Sequence, residues 1–112
     1  MPRITRSALV MFSAEQMFRL VNDVHAYPEF LPGCVGSRVH ETGDDYMTAS
    51  VDVAKAGIAK TFTTRNLLDA NRQIKMELVE GPFSKLAGWW TFTPLDVDAC
   101  KVEFDLDFEF TS

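Results

Sequence analysis

The residues best able to do chemistry in this chain are two histidines and two cysteines, and their spacing argues against it. His25, Cys34 and His40 follow one another at intervals of nine and six residues. Zinc sites usually place one pair of ligands about two to five residues apart, so this trio fits no familiar metal pattern. A Cys–His nucleophile needs both side chains within hydrogen-bond reach. Cys34 follows Pro32-Gly33 and reads as a small buried hydrophobe, while His40, beside Glu41 near a turn, reads as solvent-facing. Two charged sets remain. Glu103, Asp105, Asp107 and Glu109 recur at every second residue, either as a site for a cation or basic partner or as a solvated strand face balanced by cross-strand Lys and Arg. The solvated face is the expected reading. Lys55, Lys60 and Arg65, with Arg72 and Lys75 on the next hairpin, form either the one candidate region for phosphate contact or a scatter of surface cations. No catalytic residue and no metal ligand is expected.

The whole balance is acidic, sixteen Asp and Glu against eleven Lys and Arg for a net charge of −5. A basic footprint is the first mark of a nucleic-acid binder, so DNA is not an expected partner, and any RNA contact must rest on a local patch. At 112 residues and 46% hydrophobic content, one domain over residues 1–112 is the natural reading. The N-terminus, Met1-Pro2-Arg3-Ile4-Thr5-Arg6, lacks the apolar run of a secretory signal, and no stretch has the ~18 apolar residues of a membrane span. The expected location is cytoplasmic, with Cys34 and Cys100 reduced.

What must position these groups is mostly sheet. Ile4 to Phe12 is rich in β-formers. Ser13-Ala14-Glu15-Gln16 fits a capping box, and Ala14, Met17, Phe18 and Val21 then follow at helical spacing to about Asn22. Pro28 and Pro32 bar a long helix through His25–Cys34, yet Tyr27, Phe30 and Leu31 there are too large for a solvated loop. This segment reads as a loop or short helical turn that packs inward. From Cys34 the period drops to two. Val35 and Val39 share a phase, and Met47, Ala49, Val51 and Val53 alternate with Thr48, Ser50 and Asp52. Ala59–Leu68 follows Gly57; Ile74, Met76 and Leu78 follow the Asp69–Arg72 turn. Gly81-Pro82 breaks that strand, Trp90 and Phe92 lead the next, and Leu95–Ala99 connects to the last. There Val102, Phe104, Leu106, Phe108 and Phe110 lie on one face, and Lys101, Glu103, Asp105, Asp107 and Glu109 on the other. Short turns between strands imply an antiparallel meander with one dry and one wet face.

One short helix and a proline loop are too little to cover so large a dry face, and exposing it would exceed the few hundred Å² usual for a monomer. The chain stops at Ser112, just after a strand. The expectation is a C-terminally truncated domain, or a face covered by a ligand or by a second copy as a homodimer.

Four segments in order carry a resemblance: Tyr27-Pro28-Glu29-Phe30-Leu31-Pro32; Lys60-Thr61-Phe62-Thr63-Thr64-Arg65-Asn66; Gly81-Pro82-Phe83 with Leu86 and Trp90-Thr91-Phe92; and Phe108-Glu109-Phe110. Together they resemble the polyketide-cyclase/START-like superfamily, within the branch of coenzyme-Q-binding proteins and bacterial ribosome-association toxins. The toxins are the nearer likeness. Val21-Asn22-Asp23-Val24 and Lys55-Ala56-Gly57-Ile58 strengthen it. The resemblance implies an α+β helix-grip fold, a curved antiparallel sheet of about six to seven strands with short N-terminal helices. The family's long C-terminal helix is absent from this chain. It also implies an apolar cavity lined by Tyr27, Phe30, Leu31, Met47, Val51, Phe62, Met76, Trp90, Phe92, Phe104, Leu106 and Phe108. No cofactor is required; ubiquinone or a similar lipid is the implied ligand, held without catalysis in support of respiration. The other implied role is a toxin that binds the large ribosomal subunit and blocks subunit association, for which Lys55, Lys60 and Arg65 are the candidate contact.

Overall fold

The capping box forms where Ser13 and Gln16 place it. Ser13 Oγ accepts from the Gln16 amide at 3.1 Å, and Gln16 Oε1 accepts from the Ser13 amide at 2.8 Å. These two bonds satisfy backbone donors that the first helical turn would otherwise leave open. The helix they start, α1 (Ala14–Asn22), buries Ala14 and Phe18. Before it runs β1 (Arg3–Val10). In this computed structural model, residues 3–30 and 32–111 are described, without the side chains of Phe30 and Lys55; the expectations for Leu31 and for those two side chains lie outside the described residues.

The proline-bounded segment folds as a 3₁₀ turn (Val24–Ala26) and a one-turn helix, α2 (Tyr27–Phe30). Six strands follow: β2 (Cys34–Thr42), β3 (Tyr46–Lys55), β4 (Ile58–Asp69), β5 (Gln73–Glu80), β6 (Phe83–Asp96) and β7 (Ala99–Phe110). With β1 they make one antiparallel sheet of seven strands in the order β1-β7-β6-β5-β4-β3-β2. From β2 onward, strands adjacent in sequence pair through tight turns. The β3–β4 turn places Ala56 and Gly57 both at positive φ, +52° and +80°. That is the geometry of a two-residue hairpin, which Gly57 adopts freely and Ala56 under strain.

The register assigns the faces. Val102, Phe104 and Leu106 lie opposite Phe92, Trp90 and Gly88 of β6; Trp90 and Gly88 lie opposite Ile74 and Met76 of β5. The same row continues to Leu68 and Asn66, then to Met47. All helices sit on this inner face. Gly88 leaves a gap there that Met76 and Leu106 fill, since a Cβ on it would lie 2.6 and 2.9 Å from their terminal methyls. The outer face carries Lys101, Glu103, Asp105, Asp107 and Glu109.

Three expectations need correction. β1 ends at Val10, and Met11 and Phe12 lie exposed in the bend before Ser13. Strand β6 begins at Phe83, seven residues before Trp90, so Gly81-Pro82 is a brief corner. Val35 does not share a phase with Val39. A β-bulge between Cys34 and Gly36 inserts Val35 as an extra residue, leaving it 65% exposed while Val39 faces Ala49.

Candidate functional site

The inner face has a covered half and an open half. In the covered half, α1 presses Ala14 and Phe18 onto Ile74, Phe92, Cys100 and Val102. Phe18 meets Phe92 edge-on, ring centres 5.8 Å apart. The 3₁₀ turn sets Val24 over Met47 and Ala49, with Tyr27, Val39 and Val51 around them. The Tyr27 hydroxyl donates to the Val21 carbonyl, joining α2 to α1. Burial pushes that phenol up to about 12.

The open half is aromatic. Phe83 stacks on Phe110 at 4.9 Å and meets Phe62 and Phe108 edge-on at 5.9 and 6.4 Å. Phe108 and Phe110 touch at 5.6 Å. Trp90 joins the halves, 6.5 Å from Phe92 and 4.5 Å from Phe104. Phe62, Phe83, Trp90, Phe104, Leu106 and Phe108 are half-buried, and Phe110 is 60% exposed. The radius of gyration is 14.2 Å, against about 13 Å for a typical domain of this length.

The expected lining residues therefore divide. Val51, Phe62, Met76, Trp90, Phe104, Leu106 and Phe108 share the inner face and keep accessible surface. Met47 and Phe92, 6% and 2% exposed, lie beneath the helical segments and act as core.

Polar groups on this face were not anticipated. Thr64 and Asn66, 7% and 8% exposed, stand in the phase of Phe62 and Leu68. Thr64 Oγ1 donates to Asn66 Oδ1 at 2.9 Å. The signal was available: polar side chains in an inward phase of a strand.

The charged sets resolve differently. On the outer face Arg3 holds Asp105 through Nε at 2.9 Å and Nη2 at 2.5 Å, and reaches Asp107 at 4.0 Å; Lys101 reaches Glu103 at 3.9 Å. Arg3, on β1, is a cross-strand cation of the kind expected for a solvated face, whereas Lys101 and Glu103 pair along β7 itself. Arg38 and Thr61 bind Asp52, holding its carboxyl down at about 2. The basic cluster does not assemble. Lys60 shares the inward phase of Phe62, whereas Arg65 lies on the outer face, its guanidinium 4.6 Å from the centre of the Tyr46 ring. Lys75 is also on the outer face, 4.9 Å over Trp89, and Arg72 pairs with Asp69 at 3.3 Å. An open hollow of about 290 Å³ near Trp89, edged by Gln73, Thr91, Glu103 and Asp105, belongs to the outer face. It does not reach Phe62, Phe83 or Phe108.

His40 is exposed, and its Nε2 lies 2.6 Å from the buried Ser50 Oγ. The third member is the Thr63 hydroxyl, 2.5 Å from Ser50, where a catalytic triad would have a carboxylate on the histidine. Among the described residues no group of three or more His, Cys, Asp and Glu is placed to hold a metal ion. Cys34 and Cys100 are buried free thiols on strands far apart in the sheet. No helix among the described residues is long and apolar enough to cross a membrane.

Residues 10–112 match the family described as "Polyketide cyclase / dehydrase and lipid transport". The chain belongs to that family. Its fold is the START-like one, and the aromatase/cyclase Zhui of Streptomyces sp. R1128 has the same architecture. That structure superposes with a TM-score of 0.90 at 24% identity, over 99% of this chain and 69% of Zhui. Among relatives, the persistence and stress-resistance toxin PasT of Escherichia coli O6:H1 (strain CFT073) is 65% identical over 112 residues, all of this chain and 71% of PasT. The ribosome association toxin RatA of Escherichia coli K12 is 64% identical over the same spans. The mitochondrial coenzyme Q-binding protein COQ10 of Drosophila melanogaster is 30% identical over 96% of this chain and 46% of COQ10.

Proposed function

We propose that the inner face binds an apolar molecule, an isoprenoid quinone such as ubiquinone or a similar lipid, without chemical change to it. The observation that carries this reading is the contiguous, half-exposed group of Phe62, Phe83, Phe108 and Phe110. Such a surface gains about 25 cal/mol for each Å² removed from water, before the costs of association. Among the described residues, the side chains on this face offer apolar contact and, at Thr64 and Asn66, hydrogen bonds. Lipid extraction and mass spectrometry of the full-length protein as purified tests the reading. A bound quinone or lipid, reduced by Phe108→Ala, is the expected result; a lipid-free protein that takes up no added ubiquinone refutes it.

A second reading concerns where the protein acts, and the likeness to RatA favours it: 64% identity over the whole chain, against 30% to COQ10. We infer a cytoplasmic protein that binds the large ribosomal subunit and interferes with subunit association. The two readings are compatible, because one concerns the inner face and the other a surface contact. Lys60 and Arg65 lie on opposite faces, so they cannot both serve one flat contact. Sucrose-gradient co-sedimentation with 50S subunits, with Lys60→Glu and Arg65→Glu tested separately, decides between faces. Loss in one variant alone identifies the contacting face. Equal binding by wild type and both variants removes these residues from the contact, and no co-sedimentation at low salt refutes the reading.

A further inference from the structure

Thr64 and Asn66 are an anomaly that packing does not require. Thr64 lies between Ala49 and Leu78, and Asn66 between Met47 and Met76, each with apolar cross-strand neighbours on both sides. A strand needed only for a core would carry Val, Ile or Leu here, because a buried hydroxyl and amide lose water that partners must replace. Each satisfies the other only in part. The Thr64 hydroxyl occupies Asn66 Oδ1 and thereby fixes which end of the amide is oxygen, which leaves the two N–H donors of Nδ2 as what the pair has to offer.

A third polar group belongs to the same region. Asn22 closes α1, one turn beyond Phe18 and two beyond Ala14, on the helix face that meets the sheet. The residue before it, Val21, packs in the cluster that includes Met76; Val24, two residues after it, packs on Met47. Met76 and Met47 are the two cross-strand neighbours of Asn66. Chain continuity therefore places Asn22 between the residues that pack toward these two methionines. Its Oδ1 is enclosed and has no donor among the described residues. Enclosed acceptors without donors are uncommon and call for an explanation.

We propose that Asn66 and Asn22, oriented by Thr64, form a polar head site in the inner face for an apolar ligand that ends in a hydroxyl, of the phenol or hydroquinone class. One hydroxyl oxygen meets both demands, accepting from Asn66 Nδ2 and donating its hydrogen to Asn22 Oδ1. A ketone or an ether meets only the first. The site deepens the reading of the inner face as a lipid- or quinone-binding surface and rests on it. It implies selection of the reduced, hydroxyl-bearing form over the oxidised, carbonyl-bearing form.

The test compares 4-nonylphenol with its methyl ether, two probes of near-equal apolar body, by quenching of tryptophan fluorescence in the full-length protein. One hydrogen bond more should make the phenol bind roughly five- to tenfold tighter. Asn22→Leu should abolish that preference while leaving the ether's affinity in place, and Asn66→Leu should weaken both probes by a similar factor, since both accept from its amide; Asn22→Asp, which keeps an acceptor, should retain the preference. Equal affinity of wild type for phenol and ether overturns the head site alone, as does a preference that survives Asn22→Leu. Failure of both probes to bind overturns the apolar-ligand reading and the head site with it. The wild-type comparison needs no variant, so it decides the matter even where a substitution prevents folding.

Discussion

Two phenylalanines that one alternating pattern would treat alike should behave as different kinds of residue. Phe92 is 2% exposed, under Phe18 of α1 and beside Trp90. Phe108 sits among Phe83 and Phe110 on the open half and stays half-exposed. Cutting Phe92 to alanine removes a fully buried ring and leaves a void that α1 cannot close, at a cost of about 3–5 kcal/mol. Cutting Phe108 forfeits about half the burial of one side chain, about 1 kcal/mol. At about 4 °C per kcal/mol for a domain of this size, Phe92→Ala should melt roughly 12–20 °C lower and Phe108→Ala only about 4 °C lower. Ligand uptake should reverse the order. Phe108→Ala loses apolar lining, while Phe92→Ala, kept below its own melting point, retains it. Thermal melts and urea titrations of lipid-free protein measure the first pair of quantities, and ubiquinone uptake per folded molecule measures the second. Equal destabilisation by the two substitutions would refute the division of the inner face into a covered and an open half.

Other outcomes follow from local geometry. Ala56→Gly should raise the melting temperature by a few degrees, since glycine relieves about 1 kcal/mol of strain at φ +52° that outweighs its added freedom in the unfolded chain. Ser13→Ala should cost about 1 kcal/mol in urea titrations by opening the capping box. Asp52 has a depressed folded pKa, first through its hydrogen bond to Arg38 and then to Thr61. Its contribution is therefore complete above the ordinary carboxylate range and disappears as pH falls toward about 2. Melting curves should show Asp52→Asn to be less stable than wild type at pH 6 and to lose less than wild type between pH 4 and 2. The raised phenol of Tyr27 acts in the other direction: its contribution is complete below pH 10 and lost toward about 12, so Tyr27→Phe should flatten the alkaline loss of stability.

Period-two patterning made most of this sheet legible. The face of Val102–Phe110 and the alternation at Met47–Val53 come straight from side chains that must point alternately in and out. Bulges are what such reading misses, because an inserted residue shifts the phase with no change of composition; Val35 is the case here. Strand β6 was half-missed because Ser84 and Lys85 sit at another register shift, beside Phe83. For the site, seven of the expected lining residues share the accessible inner face, but the sequence gives no depth, so Phe92 and Met47 looked the same as Phe104 and Phe108. The separation of Lys60 from Arg65 was legible: five residues apart on one strand means opposite faces.

Because β1 pairs with β7 and with no other strand in the described sheet, Arg3 and Asp105 hold each other across 102 residues of chain. The first strand emerges from the ribosome long before its partner exists. α1, which packs on β6 and β7, emerges early too. Neither β1 nor α1 can settle on its own, since their sheet contacts lie in β6 and β7. During synthesis β1 and α1 should therefore stay loosely held until Ala99–Phe110 is available, and the covered half of the inner face should lock only then, as expected where contacts are so distant in sequence. Translation stalled before Ala99 would leave Phe18 and Phe92 without their common cover, a state that chaperones or proteases would meet first.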